Sequence, residues 1–373
     1  MKMKNKQNDP KRLLCIVGTM NVGGAETFLM KVYRAIDRTK YQMDFYVSIQ
    51  EEGFYDEEIL SMGGKIFRSV PKTKNPVKSF WKILAIVKQE KYKSVLRISE
   101  HSLSALDLVA SKIGGAEKLI FRSNNTSTGG GRLNQIAHKV FKWMPITLTT
   151  HRIAPSTEAA EFMFGRKCVN SGKATIIKNA IDLNRFQYDS QKRKVMREKY
   201  GIDNKLVVGH VGRFHRQKNH AFLLNVFASM NKVNSESVLL LIGEGELEND
   251  IRHMVDRLGV NKDVIFAGVS NNVPELMMAM DVFVFPSYFE GMPNVVIEAQ
   301  ATGLPCIISD SITREVKITD AVTFVSLSES EAVWAELILK HSNFMLRKNI
   351  IDRFVECGYD IHAVAKKIES DFY

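Results

Sequence analysis

No two cysteines in this 373-residue chain stand close enough in sequence to suggest a metal knuckle or a redox couple. The four, Cys15, Cys168, Cys306 and Cys357, are far apart and form no CxxC. That argues against a disulfide framework or a cysteine zinc site and reads as small buried hydrophobes in a reducing compartment. No apolar run approaches the roughly 18 residues a membrane-spanning helix needs. The longest candidates, SVLLLIG near 240 and MDVFVFP near 283, have the length of buried strands. The basic start, MKMKNKQNDPKR, is followed by no long apolar stretch and so is not a secretory signal. The expectation is a cytoplasmic protein. The GxGxxG dinucleotide fingerprint and the GxxxxGK[ST] phosphate loop are both missing. So are zinc-finger spacing, an RNA-binding aromatic signature and a recognition-helix pattern, which disfavours nucleic acid as a partner.

What is present is enough chain for two cores, since single cores stop growing near roughly 250–300 residues. Hydrophobic residues make up 45% and charged residues 25%, as in ordinary globular proteins. The net charge of +11 is unevenly placed. Residues 1–180 hold 30 Lys and Arg against 15 Asp and Glu, and residues 181–373 hold 22 against 26. The whole excess therefore lies in the first half. Such a lobe suits an anionic membrane surface or another polyanion, at roughly 1 kcal/mol per well-placed basic residue. The bland alternative is a surface tuned for solubility.

Apolar β-branched runs alternate with helical patterns. LLCIVG (13–18), QMDFYVSI (42–49), KSVLRIS (93–99) and KLIFRS (118–123) read as strands. GGAETFLMKVYRAI (23–36), SFWKILAIVKQ (79–89) and LSALDLVASKI (103–113) read as helices, the first with Phe28, Leu29, Val32 and Ile36 on one face. TSTGGGRL (126–133) reads as a flexible loop. The pattern restarts after about residue 180 with strands KLVVGHVG (205–212), SVLLLIG (237–243), DVIFAG (263–268), DVFVFPS (281–287) and PCIIS (305–309), with helices between. This alternation predicts two parallel sheets in tandem, covered on both faces. KNAIDLNRF (178–186) marks the joint. Ligands of such sheets bind outside the carboxyl ends of the strands, so a cleft between two facing lobes is the expected site.

Five segments at those strand ends carry chemistry. GGAE (23–26) puts Gly23 and Gly24 at a helix start, where backbone N–H groups can meet a phosphate; a ligand-free tight turn reads equally well. VGRFHRQKNH (211–220) places Arg213 and Lys218 in one loop, a guanidinium and an ammonium suited to a diphosphate. His210, His215 and His220 flank it, but their spacing shares no helical face, so no metal site is expected. FEGMPNVVIEAQATG (289–303) is the most specific. Glu290 sits in the loop held by Gly291 and Pro293, the amides around Asn294 and Val295 start a helix, and Glu298 lies one turn into it. Carboxylates there fit hydroxyl groups of a sugar and a ribose better than they fit phosphate. GEGELEND (243–250) and FAGVSNN (266–272) put Gly243 and Gly268 in loops that can cup a nucleobase through backbone groups.

In this order, GGAE, GRFHRQK, GEG, FAG and the Glu-x7-Glu stretch FEGMPNVVIE resemble family 4 glycosyltransferases of the bacterial capsule and exopolysaccharide type. APSTEAAEFMFG (154–165) and KNAIDLNRF resemble the segment that joins their two lobes. The resemblance covers almost the whole chain and is strongest over 178–310. It implies the α/β GT-B fold, with two Rossmann-like doubly wound domains facing a central cleft. Residues 1–180 would bind the acceptor, 181–355 the nucleotide-sugar, and the final helix in 356–373 would cross back to the first domain. It further implies that Gly23 and Gly24 approach the donor phosphates. Arg213 and Lys218 would neutralise the diphosphate, Glu290 would hold hydroxyls of the transferred sugar, and Glu298 would hold the ribose. UDP is the nucleotide by family habit, with no metal and no further cofactor. One departure stands out. Where related transferases carry His-x-His, this chain reads Arg97, Ile98, Ser99 and, after the next strand, Arg122, Ser123, Asn124. His101 lies nearby as the candidate imidazole.

The mechanism this implies is transfer with retention of configuration and no covalent enzyme intermediate, because Glu290 and Glu298 have other tasks than the paired carboxyls of a glycosidase. The implied acceptor is a lipid-linked saccharide at the inner membrane face, where the protein would sit peripherally. Two other classes stay open: another enzyme of the same fold, such as a nucleotide-sugar epimerase, and a non-catalytic protein that binds nucleotides or polyanions.

Overall fold

The computed structural model describes residues 9–72, 74–125, 131–342 and 350–373. The basic start at residues 1–8 and most of the glycine-rich stretch 126–133 lie outside the described residues. The chain divides into two compact units, Met1–Ile181 with Gly358–Tyr373, and Asp182–Cys357. It passes between them inside the KNAIDLNRF segment.

The first unit is built on seven strands: β1 (Lys11–Val17), β2 (Tyr41–Val47), β3 (Ile66–Arg68), β4 (Ser94–Ser99), β5 (Lys118–Ser123), β6 (His151–Ala154) and β7 (Thr175–Ile176). Their order is β3-β2-β1-β4-β5-β6-β7, and every pairing is parallel. The alternation of strand side chains is visible in β1. Leu13, Cys15 and Val17 join the core on one face, and Leu14 and Ile16 join the core on the other. A strand buried on both faces must be apolar at nearly every position, which is why it reads as a continuous run. Helix Gly24–Ala35 covers one face with Phe28, Leu29 and Val32. The last helix, Ile361–Phe372, packs beside it through Ile361, Val364, Ala365, Ile368 and Phe372. Helix Pro76–Glu90 covers the other face. Asn75 caps it by accepting from the Lys78 amide, Pro76 starts it, and Lys91 at φ 58° ends it.

The second unit has six strands: β8 (Leu206–Val211), β9 (Ser237–Ile242), β10 (Val264–Gly268), β11 (Val282–Phe285), β12 (Cys306–Ser309) and β13 (Val322–Val325). Their order is β10-β9-β8-β11-β12-β13, again all parallel. Helices His220–Asn231 and Glu331–Ser342 pack on one another and on this sheet. Trp334 is fully buried there and donates its indole N–H to the Ser326 carbonyl at 3.0 Å.

Each unit has one point where the strand order reverses direction. It lies between β1 and β4 in the first unit and between β8 and β11 in the second. Loops leaving the carboxyl ends of such a strand pair diverge and leave a crevice, the usual ligand position in open α/β sheets.

Candidate active site

The loops after β8, β9 and β11 hold Arg213, Lys218, Gly243, Glu290 and Gly291, Gly268 ends β10, and Asn294, Val295 and Glu298 lie in helix Asn294–Ala301. The backbone ties these loops to one another. Gly212 N–H donates to Ile242 O at 2.9 Å, Phe214 N–H to Glu244 O at 2.8 Å, and Gly243 N–H to Gly268 O at 2.9 Å. Gly243 has φ +135°, and a Cβ there would lie 2.1 Å from the Gly212 carbonyl oxygen. Only glycine meets both conditions. Across the switch point, Tyr288 N–H donates to Gln217 O at 2.9 Å, and the Gln217 amide donates to Phe289 O at 2.8 Å.

Lys218 and Glu290 meet directly over this crevice. The ammonium donates to Oε1 of Glu290 at 2.6 Å, and the side chains are 17% and 12% exposed. With water largely excluded, the attraction exceeds that of a surface pair. The ammonium also lies 4.6 Å from the centre of the Phe285 ring. Arg213 goes elsewhere: it is 70% exposed and pairs with Glu246 at 3.1 Å. The two cations therefore engage separate carboxylates instead of converging on one point. Helix Asn294–Ala301 starts just beyond the Glu290 loop, with Val295 in its first turn and Glu298 one turn in. Oδ1 of Asn294 is buried without a hydrogen-bond partner among the described residues. Gly291 has open space where a Cβ would go.

The three histidines do not converge. His215 accepts from the Gln217 amide and lies 3.5 Å from Glu246. His210 and His220 are buried against each other. Among the described residues no group of three or more His, Cys, Asp or Glu side chains is arranged to hold a metal ion.

In the first unit, Gly23 caps helix Gly24–Ala35. Glu26, which the sequence reading passed over, folds back onto this helix start: a Cβ on Gly23 would lie 2.5 Å from its Oε2. A carboxylate thus stands where Gly23 and Gly24 were expected to meet phosphate, and burial raises its pKa. An acidic residue in the first helical turn was the sequence signal for it.

Arg97 and Arg122 both turn inward. Arg97 lies 2.8 Å from Asp107, which also pairs with Lys72, and donates to the carbonyls of Ile16 and Ile98 at 2.9 Å. Burial, and then the Arg97 charge, lower the Lys72 pKa to about 8. Arg122 is fully buried over the Phe28 ring at 3.8 Å and donates to Oδ1 of Asn179 at 2.7 Å. Burial lowers its pKa to about 9. His101 stands at the switch point after β4. Its Nε2–H donates to the Asn134 carbonyl at 2.9 Å, and its Nδ1 accepts from the Leu103 amide at 3.2 Å. Both ring nitrogens are therefore engaged by backbone in this conformation.

Among the described residues no helix is long and apolar enough to cross a membrane. Residues 192–351 match the family model described as glycosyl transferases group 1. The chain is 36% identical over 358 residues to the putative glycosyltransferase EpsF of Bacillus subtilis (strain 168), covering 94% of this chain and 93% of that one. It is 29% identical over 241 residues, 63% of this chain and 62% of the relative, to an Escherichia coli UDP-Gal:alpha-D-GlcNAc-diphosphoundecaprenol alpha-1,3-galactosyltransferase. Its fold is similar to that of Anabaena HepE in complex with UDP, with a TM-score of 0.75 at 18% identity over 96% of this chain and 98% of that one. A relationship of this length and identity, joined to two parallel-sheet units of the GT-B type, means that the chain belongs to the group 1 glycosyl transferases.

Proposed function

We propose that this glycosyltransferase moves a hexose or N-acetylhexosamine from a UDP-sugar to a lipid-linked saccharide, with retention of configuration, in the synthesis of a bacterial surface polysaccharide. The observation that carries this reading is the Lys218–Glu290 pair at the switch point of the second sheet. A cation and a carboxylate side by side suit a donor with an anionic diphosphate next to a sugar rich in hydroxyls. Lys218 and Arg213 offset the charge that grows on the leaving diphosphate, and the amides of Asn294 and Val295 add to it from the helix start. Glu290 accepts from sugar hydroxyls, and Glu298 accepts from the ribose. The acceptor hydroxyl attacks on the face the nucleotide leaves, and the leaving phosphate takes its proton. These cations do the work of a divalent metal, so activity is expected to survive a chelator.

The relatives' names support the nucleotide and acceptor classes. One names a UDP-galactose donor and a diphosphoundecaprenol acceptor. Another names a diphospho-undecaprenol-linked acceptor. The excess positive charge of residues 1–180 supports peripheral attachment to an anionic inner membrane face.

Thermal unfolding with UDP, GDP, ADP and NAD, on the wild type and on Glu298→Ala, tests the donor site. A ligand at 100 times its dissociation constant adds about 2.7 kcal/mol. Stabilisation by UDP that is lost in Glu298→Ala is the expected result. No response to any nucleoside diphosphate would sink the reading.

A further inference from the structure

An unpartnered buried polar group costs its full desolvation, so native cores seldom keep one. The second unit keeps two such side chains in contact. His210 on β8 is 0% exposed, and His220, first in helix His220–Asn231, is 3% exposed. Their rings meet edge to face at 4.8 Å. The Nδ1–H of His210 donates to the Val284 carbonyl at 2.8 Å, so in the neutral ring its Nε2 is an acceptor. That Nε2 and both nitrogens of His220 are buried without a hydrogen-bond partner among the described residues. Burial first, and then neighbouring charge that includes Lys218, holds both imidazoles neutral.

The pair borders the Lys218 side chain. A Cβ on Gly212 would lie 3.2 Å from Nε2 of His210 and 3.4 Å from Cδ and Cε of Lys218. The ring edge and the lysine stem thus flank one point above the backbone. Both also share Phe285, whose ring lies 5.4 Å from that of His210 and 4.6 Å from the Lys218 ammonium. His220 follows Lys218 across a single residue, Asn219, held at φ 57°. Phe214 packs on His220 at 4.8 Å. Leucine or phenylalanine would fill this space without leaving nitrogens unpartnered. What a neutral imidazole adds is a polar ring edge beside the lysine stem, with no competing positive charge.

We propose that His210 and His220 are positioning residues: a neutral imidazole pair that sets the place of Lys218 and, through it, the affinity of the second unit for a nucleoside diphosphate. This rests on the reading of Lys218 as a diphosphate ligand.

Calorimetric titration of UDP into the intact chain, with a melting temperature for every variant, tests it. Lys218→Ala calibrates the site. If it leaves UDP affinity unchanged, the reading of Lys218 fails and the inference falls with it. His220→Phe keeps a ring against His210 and Phe214 but removes the nitrogens. Its melting temperature is expected to equal or exceed that of the wild type, while its Kd for UDP rises on the order of tenfold, as small misplacements in a binding site do. His220→Gln, which retains polar atoms, is expected to fall between the two. His210→Asn keeps a donor for Val284, lacks Nε2, and is expected to weaken UDP as well. With Lys218→Ala weakened, a wild-type Kd in both His220→Phe and His210→Asn overturns the inference. A fall in the melting temperature of His220→Phe with an unchanged Kd, the mark of a purely structural pair, does the same.

Discussion

Nζ of Lys218 lies 2.6 Å from Oε1 of Glu290 although 72 residues separate them. Both side chains are mostly shielded from water, so removing either one leaves an uncompensated charge. Lys218→Met is expected to lower stability by about 3 kcal/mol, and Glu290→Gln by a similar amount, the low end for single losses from a buried pair because both side chains keep some contact with water. The double variant Lys218→Met/Glu290→Gln should recover much of the loss, because neither charge then remains. Urea unfolding of the four proteins checks this. Strict additivity of the two single effects would show that the pair contributes no coupling.

The loop packing makes a prediction that separates two glycines of the site. Gly243 combines φ +135° with a Cβ position 2.1 Å from a backbone oxygen. Neither can relax without moving the loop after β8. Gly243→Ala is expected to cost more than about 3 kcal/mol, the sum of conformational strain and a backbone clash. A Cβ on Gly291 meets nothing within 4 Å. Gly291→Ala should therefore change the stability of the free protein by no more than about 0.5 kcal/mol. Equal effects on thermal unfolding would contradict this account.

Much of this architecture is legible without coordinates, for a physical reason. β1, β8 and β9 are buried on both faces, so they must be apolar runs bounded by turns. The candidate site was legible for a related reason: ligands of such sheets collect at strand ends, and GRFHRQK and FEGMP follow strands. What the sequence hides is what long side chains do. Helix Ser190–Tyr200 is almost wholly polar and shows no apolar stripe. It is anchored by Arg193, which donates to the carbonyls of Met278, Ala279 and Met280, and by Arg197, which reaches Ala279 and Asp281. Arg97 and Arg122 count toward the basic first half, yet both are buried, so neither presents its guanidinium to a surface partner. Strand β7 spans two residues, too short for any periodicity. The Lys218–Glu290 contact exists only once β8 and β11 are neighbours.

Asp107 serves two cations, Arg97 and Lys72, in a place with little water. Burial and the Arg97 charge bring the Lys72 pKa down to about 8 from its usual 10.5. Between those two values the unfolded chain binds a proton that the folded chain does not. Stability should therefore rise with pH across that window from this group, and Lys72→Met should flatten the rise. At pH 8 about half of Lys72 is the free amine, while an ordinary lysine is less than about 1% so. Brief treatment with an amine-reactive reagent at pH 8, read by peptide mass spectrometry, is expected to label Lys72 ahead of the exposed lysines of helix Pro76–Glu90. Slower labelling at Lys72 would show that the ammonium keeps its proton beside Asp107.

His220 gives the opposite end of the pH scale. Its pKa falls to about 4 from the usual 6.5, through burial and then through the Lys218 charge. A base whose folded pKa is depressed resists protonation in the folded chain alone. Above pH 6.5 neither state binds the proton, and this group adds no pH dependence. As pH falls from 6.5 to 4 the unfolded chain takes up the proton first, so folded stability declines, by on the order of 3 kcal/mol at the lower limit. Below pH 4 both states are protonated at this site and its contribution levels off. His220→Phe removes the titrating group, so its stability should fall less steeply over the same range, although His210 continues to titrate in the same direction. Urea unfolding at intervals from pH 7 to pH 4 measures both slopes. Parallel curves for the wild type and His220→Phe would mean that the His220 imidazole reaches water or a partner that this packing does not provide.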